Sequence, residues 1–382
     1  MTWKICNSQK YAAGGTAWEI DINTAGTFTL LSSGTVDVDV YWGDGDVETV
    51  TTNSVDHTYP AAGTYTIGIK INSGDFRPYY NSDAAADELV TLGDTPAGWS
   101  FGAILLDAFH GSANLTTVGD IDTSAVTNFG GAWISCTSLT SFSLLNTSNG
   151  GNFGYTWYNC SSLTSFPLID TSSGTNFSNA WYNCSSLTLF PPINTSSGTT
   201  FASAWYNCSS LTSFPLLNTS NGTNFSTAWY NCSGLTSFPL IDTSSGVDFF
   251  QAWRNCSSLD NITTLGEQYS FPLIDISSGT NFSTAWYNCS SMTEFPPNFF
   301  DSWIGTPVAN CFSNTWKLCS SLTATSVENI LNSIDTSGQN AQVAGPNITI
   351  DYNASSGTPN ITTAVTNLKA RNWTITLNGV AQ

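Results

Sequence analysis

The sequence predicts a protein of mixed β and α/β class, with an N-terminal β-sandwich, a solenoid of 24-residue repeats and a C-terminal α/β cap. Three observations support this prediction. Apolar and polar residues alternate over residues 16–72, a repeat fills residues 101–325, and helical and strand patterns follow it. The predicted domains are residues 1–100 (core 16–72, then a connecting segment), residues 101–325 and residues 326–382.

The N-terminal region contains short alternating runs such as Val36 to Trp42, which are typical of strands in an antiparallel sandwich. Trp42-Gly-Asp-Gly45 is followed by His57-Thr-Tyr59 and by Gly63-Thr-Tyr65. These motifs resemble the polycystic-kidney-disease (PKD) immunoglobulin-like domain over about 60 residues. The resemblance implies a spacer or docking module rather than a catalytic domain.

The repeat is marked by cysteines spaced 24 residues apart from Cys136 to Cys256, and insertions of 9 and 6 residues precede Cys289 and Cys319. Residues 105–128 form a degenerate first unit, with Ser112 in the cysteine position, so about nine units are expected. Such units cannot bury their apolar sides alone and stack into a rod, which at the strand spacing would be about 40–45 Å long.

Within one unit, Phe153, Trp157 and Cys160 fall at i, i+4 and i+7, a spacing that predicts a helix. Residues 163–168 then predict a short strand or an extended segment, and Asp/Asn-Thr-Ser-Ser/Asn-Gly predicts a turn. The aromatic-x-x-Cys-x-Ser-Leu-Thr core resembles the BspA-like leucine-rich repeats of bacterial surface proteins. The resemblance covers residues 105–325 and implies a leucine-rich-type solenoid, although this chain uses Trp and Phe-Pro where the family differs.

The C-terminal region predicts a helix over Ser326 to Ile334 and a strand over Asn347 to Ile350. A second helix over Ile361 to Ala370 and a second strand over Trp373 to Leu377 complete an α/β cap. A solenoid needs such a cap to cover its last repeat.

The net charge is −19, and only 9% of the residues are charged, against roughly 25% in an ordinary globular protein. A surface of this charge repels phosphate backbones, which argues against nucleic acid as a partner. No run of 18 apolar residues predicts a membrane span, and the start of the chain shows no secretory signal.

The cysteines predict a structural ladder on the apolar face of the repeat. Because Ser112 replaces cysteine in the first unit, a small buried side chain explains the position better than a disulfide or a metal ligand. Cys6 and Cys311 have no assigned role. The ladder consists of Cys136, Cys160, Cys184, Cys208, Cys232, Cys256, Cys289 and Cys319.

Carboxylates do not form a pattern typical of catalysis. Asp and Asn alternate freely at the turn position, which indicates a hydrogen-bonding role rather than proton transfer. No cofactor is expected. The acidic side chains of the N-terminal domain have two interpretations, either as ligands of a Ca²⁺ site or as the solvated face of a strand. The turn residues are Asp122, Asn146, Asp170, Asn194, Asn218, Asp242 and Asp275, and the candidate Ca²⁺ ligands are Asp37, Asp39, Asp44, Asp46 and Asp56.

The tyrosines that follow the repeat tryptophans are the candidate binding residues. They are expected at the rim of the apolar face, either as a polar-aromatic contact strip or merely as a cover for the core. The Asn-Cys-Ser triplets match a glycosylation acceptor formally, but glycans on adjacent units would collide. The binding candidates are Tyr158, Tyr182, Tyr206, Tyr230 and Tyr287.

These features predict a non-enzymatic adhesion or structural protein, with a bacteriophage virion protein (tail fibre, tail-tip adhesin or capsid decoration) as the leading hypothesis. The expected partners are a host-surface glycan or protein and, through the N-terminal region, other virion proteins; a homo-oligomer stays open. The expected location is the virion surface, or alternatively the extracellular space or cell surface. Two other hypotheses are a bacterial cell-surface adhesin and the accessory binding module of a carbohydrate-active system.

Overall fold

The computed structural model describes residues 20–23, 26–31, 36–61, 64–74, 89–92, 103–262, 267–341 and 347–382. Cys6 and residues 16–19 of the predicted sandwich core lie outside these ranges. The described chain is mostly non-helical, with short strands and a 24-residue structural period.

Eight strands lie in the described ranges before the repeats, and those within the predicted core pair antiparallel. Strand β3 lies between β4 and β7, β2 pairs with β5, and β1 lies between β6 and β8. The strands are β1 (Ile20–Asn23), β2 (Gly26–Leu31), β3 (Val36–Tyr41), β4 (Val47–Val50), β5 (Ser54–Tyr59), β6 (Thr64–Thr66), β7 (Gly68–Gly74) and β8 (Leu89–Leu92).

One sheet connects the N-terminal strands to the repeats. Strand β8 pairs antiparallel with β1 on one side and parallel with β9 (Thr117–Val118) on the other. Strand β9 pairs parallel with β10 (Ser141–Phe142), so the first two repeat units extend a sheet that begins in the N-terminal region.

The helix predicted in each unit is wrong, because the segment is a chain of tight turns. In the unit at Phe153, the amides of Thr156 and Cys160 each donate to the carbonyl three residues earlier, as does the amide of Tyr158. Tyr155 and Asn159 have φ of 60° and 61°, a left-handed conformation that no α-helix contains. The apolar spacing resembles that of a helix because three-residue turns bring the same positions inward.

The amides that are not used within these turns bind the next unit. Phe153, Tyr155 and Trp157 donate to carbonyls of residues 176, 178 and 180 at N···O distances of 2.8–2.9 Å. The same pairing recurs between successive units, which we call rungs. The backbone polar groups of each rung are therefore satisfied largely by its two neighbours.

Aromatic side chains form three stacked columns inside the rungs. Adjacent tryptophans, from Trp133 to Trp316, have ring centroids 5.3–6.1 Å apart. The phenylalanines from Phe129 to Phe312 form a second column with centroids 5.3–5.6 Å apart. A third column, including Phe166, meets the tryptophans at nearly right angles, a favourable arrangement for aromatic rings.

The strand predicted after each turn segment forms only in the first rungs. Ser143 donates its amide to Val118 O and continues the pairing of β9 with β10. Proline stands at this position in the following rungs, beginning with Pro167, and has no amide to donate. Only isolated parallel bridges, such as Ser165 with Leu189, remain there.

The nine-residue insertion before Cys289 leaves the stack continuous because a side-chain amide makes the hydrogen bonds that the backbone of the next rung would otherwise make. The Asn261 side chain accepts from Phe238 N at 2.9 Å and donates to Phe238 O at 3.0 Å. The insertion before Cys319 places Cys311 in the position of Asn281, where its carbonyl accepts from Phe282 N.

The described C-terminal elements match the predicted order of helices and strands. Helix α1 begins two residues earlier than expected because Thr323 caps its N-terminus, and its Ser326 and Ser333 hydroxyls accept amides of the last rungs. Strand β11 extends the stack through a parallel bridge between Ile350 and Trp316. The elements are α1 (Ala324–Thr336), β11 (Asn347–Ile350), α2 (Thr362–Ala370), β12 (Thr374–Leu377) and β13 (Val380–Ala381).

Candidate interaction surface

The predicted tyrosine residues form a continuous row on consecutive rungs. The ring centroids of Tyr158, Tyr182, Tyr206 and Tyr230 are 4.3–4.5 Å apart, and adjacent rings are within 12° of parallel. Each side chain is partly exposed. We call these four residues, together with Tyr287, the tyrosine row.

Cations occupy the remaining positions of this row near its C-terminal end. The Arg254 guanidinium lies 5.6 Å from the Tyr230 ring centroid and 4.3 Å from that of Tyr287. This geometry places the cation between two aromatic rings, where it is attracted by both faces. Lys317 is the equivalent residue of the rung after Tyr287 and is exposed.

Stacking determines which part of each tyrosine a ligand can reach. The ring faces of Tyr182 and Tyr206 are covered by neighbouring rings, so a sugar cannot stack on them. Their edges and hydroxyl groups remain available, with one hydroxyl per rung. Burial and the neighbouring Tyr182 and Tyr230 raise the pKa of Tyr206 to about 12, so its hydroxyl stays protonated at neutral pH.

An asparagine row runs beside the tyrosines. Asn183, Asn207 and Asn231 have φ of 57–59°, and their side-chain amides donate from one rung to the preceding one. Asparagine suits both tasks, since it tolerates the left-handed conformation and offers a donor and an acceptor. The Asn-Cys-Ser triplets therefore recur because the rung favours asparagine at this position, although Ser135 and Leu318 adopt the same conformation in two other rungs.

The cysteine ladder lies in the core behind these rows. All eight thiols are free and buried, and each donates to a carbonyl of the preceding rung, as Cys208 does to Trp181 O at 3.2 Å. Burial raises the pKa of these thiols, which leaves them protonated and unreactive. Cys311 is likewise free and buried.

The Asp and Asn residues of the turns act as hydrogen-bond acceptors. At all seven predicted positions the Oδ1 atom accepts the amide two residues later, as Asp242 does from Ser244 at 3.0 Å. At the six positions from Asp122 to Asp242, the buried threonine that follows donates to the next rung at 2.5–2.7 Å. Glycine closes the turn because a Cβ at Gly222 would lie 2.6 Å from Phe225 Cζ.

The N-terminal motifs meet in one cluster around His57. Its ring stacks on Trp42 with centroids 4.6 Å apart, and its Nε2 lies 2.8 Å from Asp44 Oδ2. Tyr59 donates its hydroxyl to Trp42 O at 2.9 Å. Burial opposes ionisation of Asp44, but hydrogen bonds from the Asp46 amide and from His57 outweigh it and lower the pKa of Asp44.

Two of the five candidate Ca²⁺ ligands lie together in this cluster. Potential ligand atoms of Asp44, Asp46 and His57 lie within 4.8 Å of one another. Asp39 instead accepts the hydroxyl of Thr49 at 2.8 Å. Histidine is a poor Ca²⁺ ligand, and both oxygens of Asp44 already have partners, so the arrangement fits closure of a turn better than a calcium site.

A row of exposed leucines is the surface feature that the sequence reasoning missed. These side chains are 54–67% exposed, and Pro192 occupies the same position in one rung. The signal lies in the Phe-Pro-Leu-Ile segment, where Phe and Ile point inward and Leu therefore points outward. We call this set the leucine row: Leu144, Leu168, Pro192, Leu216, Leu240 and Leu273.

Comparisons with protein-family models, curated proteins and solved structures found nothing that matches this chain. Among the helices that the structure describes, none has the length and apolar character needed to cross a bilayer. The rows described above are therefore the basis for any functional conclusion.

Proposed function

We propose that this protein is a non-enzymatic adhesion or structural protein of an exposed surface, and that the surface is that of a bacteriophage virion. The observation that supports this proposal most is the repetition of uncharged polar groups along rungs that are bonded to one another. Such a stack presents the same hydroxyl and amide groups at regular intervals to an extended ligand. A host surface of repeating glycan or protein units is an extended ligand of the kind that such a stack could contact at several rungs.

Within this proposal, the repeats form a leucine-rich-type solenoid in which turns replace the helix. The inter-rung hydrogen bonds and the stacked aromatic columns support a solenoid. The N-terminal strands form a PKD-like sandwich that docks to other virion proteins. The packing of His57 against Trp42 and Tyr59 supports this reading, since it brings the two characteristic motifs together.

The tyrosine row is proposed to bind its ligand through hydroxyl groups and ring edges. We expect a variant with Tyr182, Tyr206 and Tyr230 all changed to Phe to keep the ring stack while losing three hydroxyls. Its binding to an array of bacterial surface glycans should fall at least about tenfold, because each lost hydrogen bond weakens binding severalfold. A Leu106→Ser variant serves as the control and should keep glycan binding, because Leu106 is exposed outside both the tyrosine row and the leucine row.

Equal binding by the tyrosine variant and the unchanged protein would contradict this role for the row. The virion location is tested separately, by mass spectrometry of purified particles from a host that carries the gene. Absence of the protein from those particles would reject the virion proposal and favour the bacterial cell-surface adhesin.

A further inference from the structure

The leucine row carries an inference that does not depend on the proposed function. Its leucines are exposed to an unusual degree, with Leu144 at 66% and Leu216 at 67%. The residues that follow them, Leu145 and Leu217, are only 3% and 2% exposed. Two adjacent apolar residues in each of these rungs therefore point in opposite directions, the first into solvent and the second into the core.

The backbone fixes this outward orientation. In the rung of Leu168, the Ile169 amide donates to Pro167 O at 3.0 Å, which closes a three-residue turn with Leu168 at its tip. The same bond is made by Ile241 and by Ile274. In these rungs the exposed residue is held on the outside of a tight turn and cannot fold back into the core.

The row differs chemically from most of the exposed positions beside it, with Leu189 as an exception. Threonine occupies the exposed positions Thr164, Thr188 and Thr212, four residues before the row. The leucines and Pro192 together expose about 500 Å² of apolar surface, a size at which patches mark interaction sites. A surface of hydroxyl groups would serve solubility better, so the leucines need a different explanation.

We propose that the leucine row is the interface between two copies of this chain, packed side by side and antiparallel. The row repeats once per rung, and another copy offers the same spacing, so each residue of the row in one copy can meet a residue of the row in the other. A two-fold axis between Pro192 and Leu216 pairs Leu168 with the partner's Leu240 and Leu144 with the partner's Leu273. The row supplies more than half of the roughly 800 Å² that each partner buries in a standard interface.

The charge distribution favours this occupant and this orientation. Between Asp122 and Asp242 the chain has a single charged residue, Asp170, so the middle of the row meets little repulsion. The described N-terminal strands and turns (residues 20–23, 26–31, 36–61 and 64–74) carry seven carboxylates and one base, and their sheet joins the stack at its first rungs. An antiparallel pair holds these acidic regions at opposite ends, whereas a parallel pair would place them side by side.

The oligomeric state of the full chain tests the proposal. Sedimentation velocity over a range of micromolar concentrations should show a dimer, and the Leu168→Ser, Leu216→Ser, Leu240→Ser variant should sediment as a monomer. Leu216→Ser alone should raise the dimer Kd at least about tenfold, since a two-fold interface loses the side chain twice. Leu106→Ser is the matched control, because Leu106 is 48% exposed beside Gly130 and outside the row.

A monomer at all concentrations, or a dimer that survives the triple substitution, would overturn the proposal. Circular dichroism of the triple variant should be unchanged, because the three side chains are exposed. Orientation is tested in a Cys6→Ser background by mixing Leu168→Cys and Leu240→Cys proteins with a short bismaleimide, to which the buried native thiols do not react. Linkage of position 168 to position 240 is expected, and efficient linkage of 168 to 168 would reject the antiparallel pair.

Discussion

Asn207 distinguishes a rung built from turns from a rung built from a helix. Its φ is 57°, and its side chain donates to Asn183 and accepts from Asn231. Replacement by Ala removes both hydrogen bonds and leaves a side chain that disfavours the left-handed conformation. Replacement by Gly removes the same hydrogen bonds but accepts that conformation freely.

The difference in stability between the Gly and Ala variants has one sign if the rung is built from turns and the opposite sign if it is built from a helix. Each lost hydrogen bond costs about 1 kcal/mol at this partly exposed site, so Asn207→Gly should lower the free energy of unfolding by about 2 kcal/mol. Asn207→Ala should lower it by about 3 kcal/mol, because the left-handed conformation costs a further ~1 kcal/mol. In a helix the order would be reversed, since Ala exceeds Gly there by about 1 kcal/mol.

Urea unfolding followed by tryptophan fluorescence measures this difference, because Trp205 is buried within the same rung. The two variants are compared by their midpoints under identical conditions. The turn structure requires Asn207→Gly to unfold at the higher urea concentration. A higher urea midpoint for Asn207→Ala than for Asn207→Gly would refute the turn structure of the rung and support a helix there.

Two further predictions concern titration. The phenol of Tyr206 should ionise near pH 12 in the folded protein, as measured by phenolate absorbance against a Tyr206→Phe control. Because the pKa of Tyr206 is raised, its contribution to stability is present below the usual pKa of about 10 and is lost as the pH rises towards 12. Ionisation of Tyr206 near pH 10 in the folded protein would contradict the stacked row. Asp242→Asn should change the free energy of unfolding by less than about 0.5 kcal/mol at neutral pH, whereas Asp242→Ala should cost about 1 kcal/mol. The Ser244 amide and hydroxyl lower the pKa of Asp242. The stability that this carboxylate contributes is therefore present above about pH 4 and is lost on further acidification. Thermal unfolding measured against pH tests this acceptor role, and a large loss of stability in Asp242→Asn at neutral pH would reject it.

The sequence predicted features that depend on local chemistry. The turn acceptors, such as Asp170 and Asn194, were found because Asx side chains bind amides two residues away regardless of what surrounds them. The bounds of the two C-terminal helices agree with the prediction within two residues, because the apolar spacing of a helix is also a local feature. Helix α1 starts earlier than predicted because Thr323 accepts the Ser326 amide and caps its N-terminus.

The interior of the rung was not predictable from apolar spacing alone. Phe153, Trp157 and Cys160 point inward at intervals that fit both a helix and a series of tight turns. The distinguishing residue was Asn159, which recurs where a helix would favour Ala or Leu but a left-handed residue favours Asn. Proline was the corresponding signal for the missing strand, since Pro167 cannot donate to a neighbouring rung.

Neither exposed row could be understood without the stack. The sequence placed the tyrosines at a rim, but the covering of each ring by the next depends on the distance between rungs. The outward direction of Leu168 depends on the bond from Ile169 to Pro167, which periodicity does not reveal.

The direction of the backbone hydrogen bonds has a mechanical consequence. Bonds such as Phe177 N to Thr200 O and Trp181 N to Ala204 O join one rung to the next, along the axis of the stack. Tension applied along this axis is shared by all the bonds of an interface, which must fail together. A force applied to one side of a rung breaks the same hydrogen bonds one after another. The stack therefore resists axial tension better than it resists a force that separates one side of a rung from its neighbour.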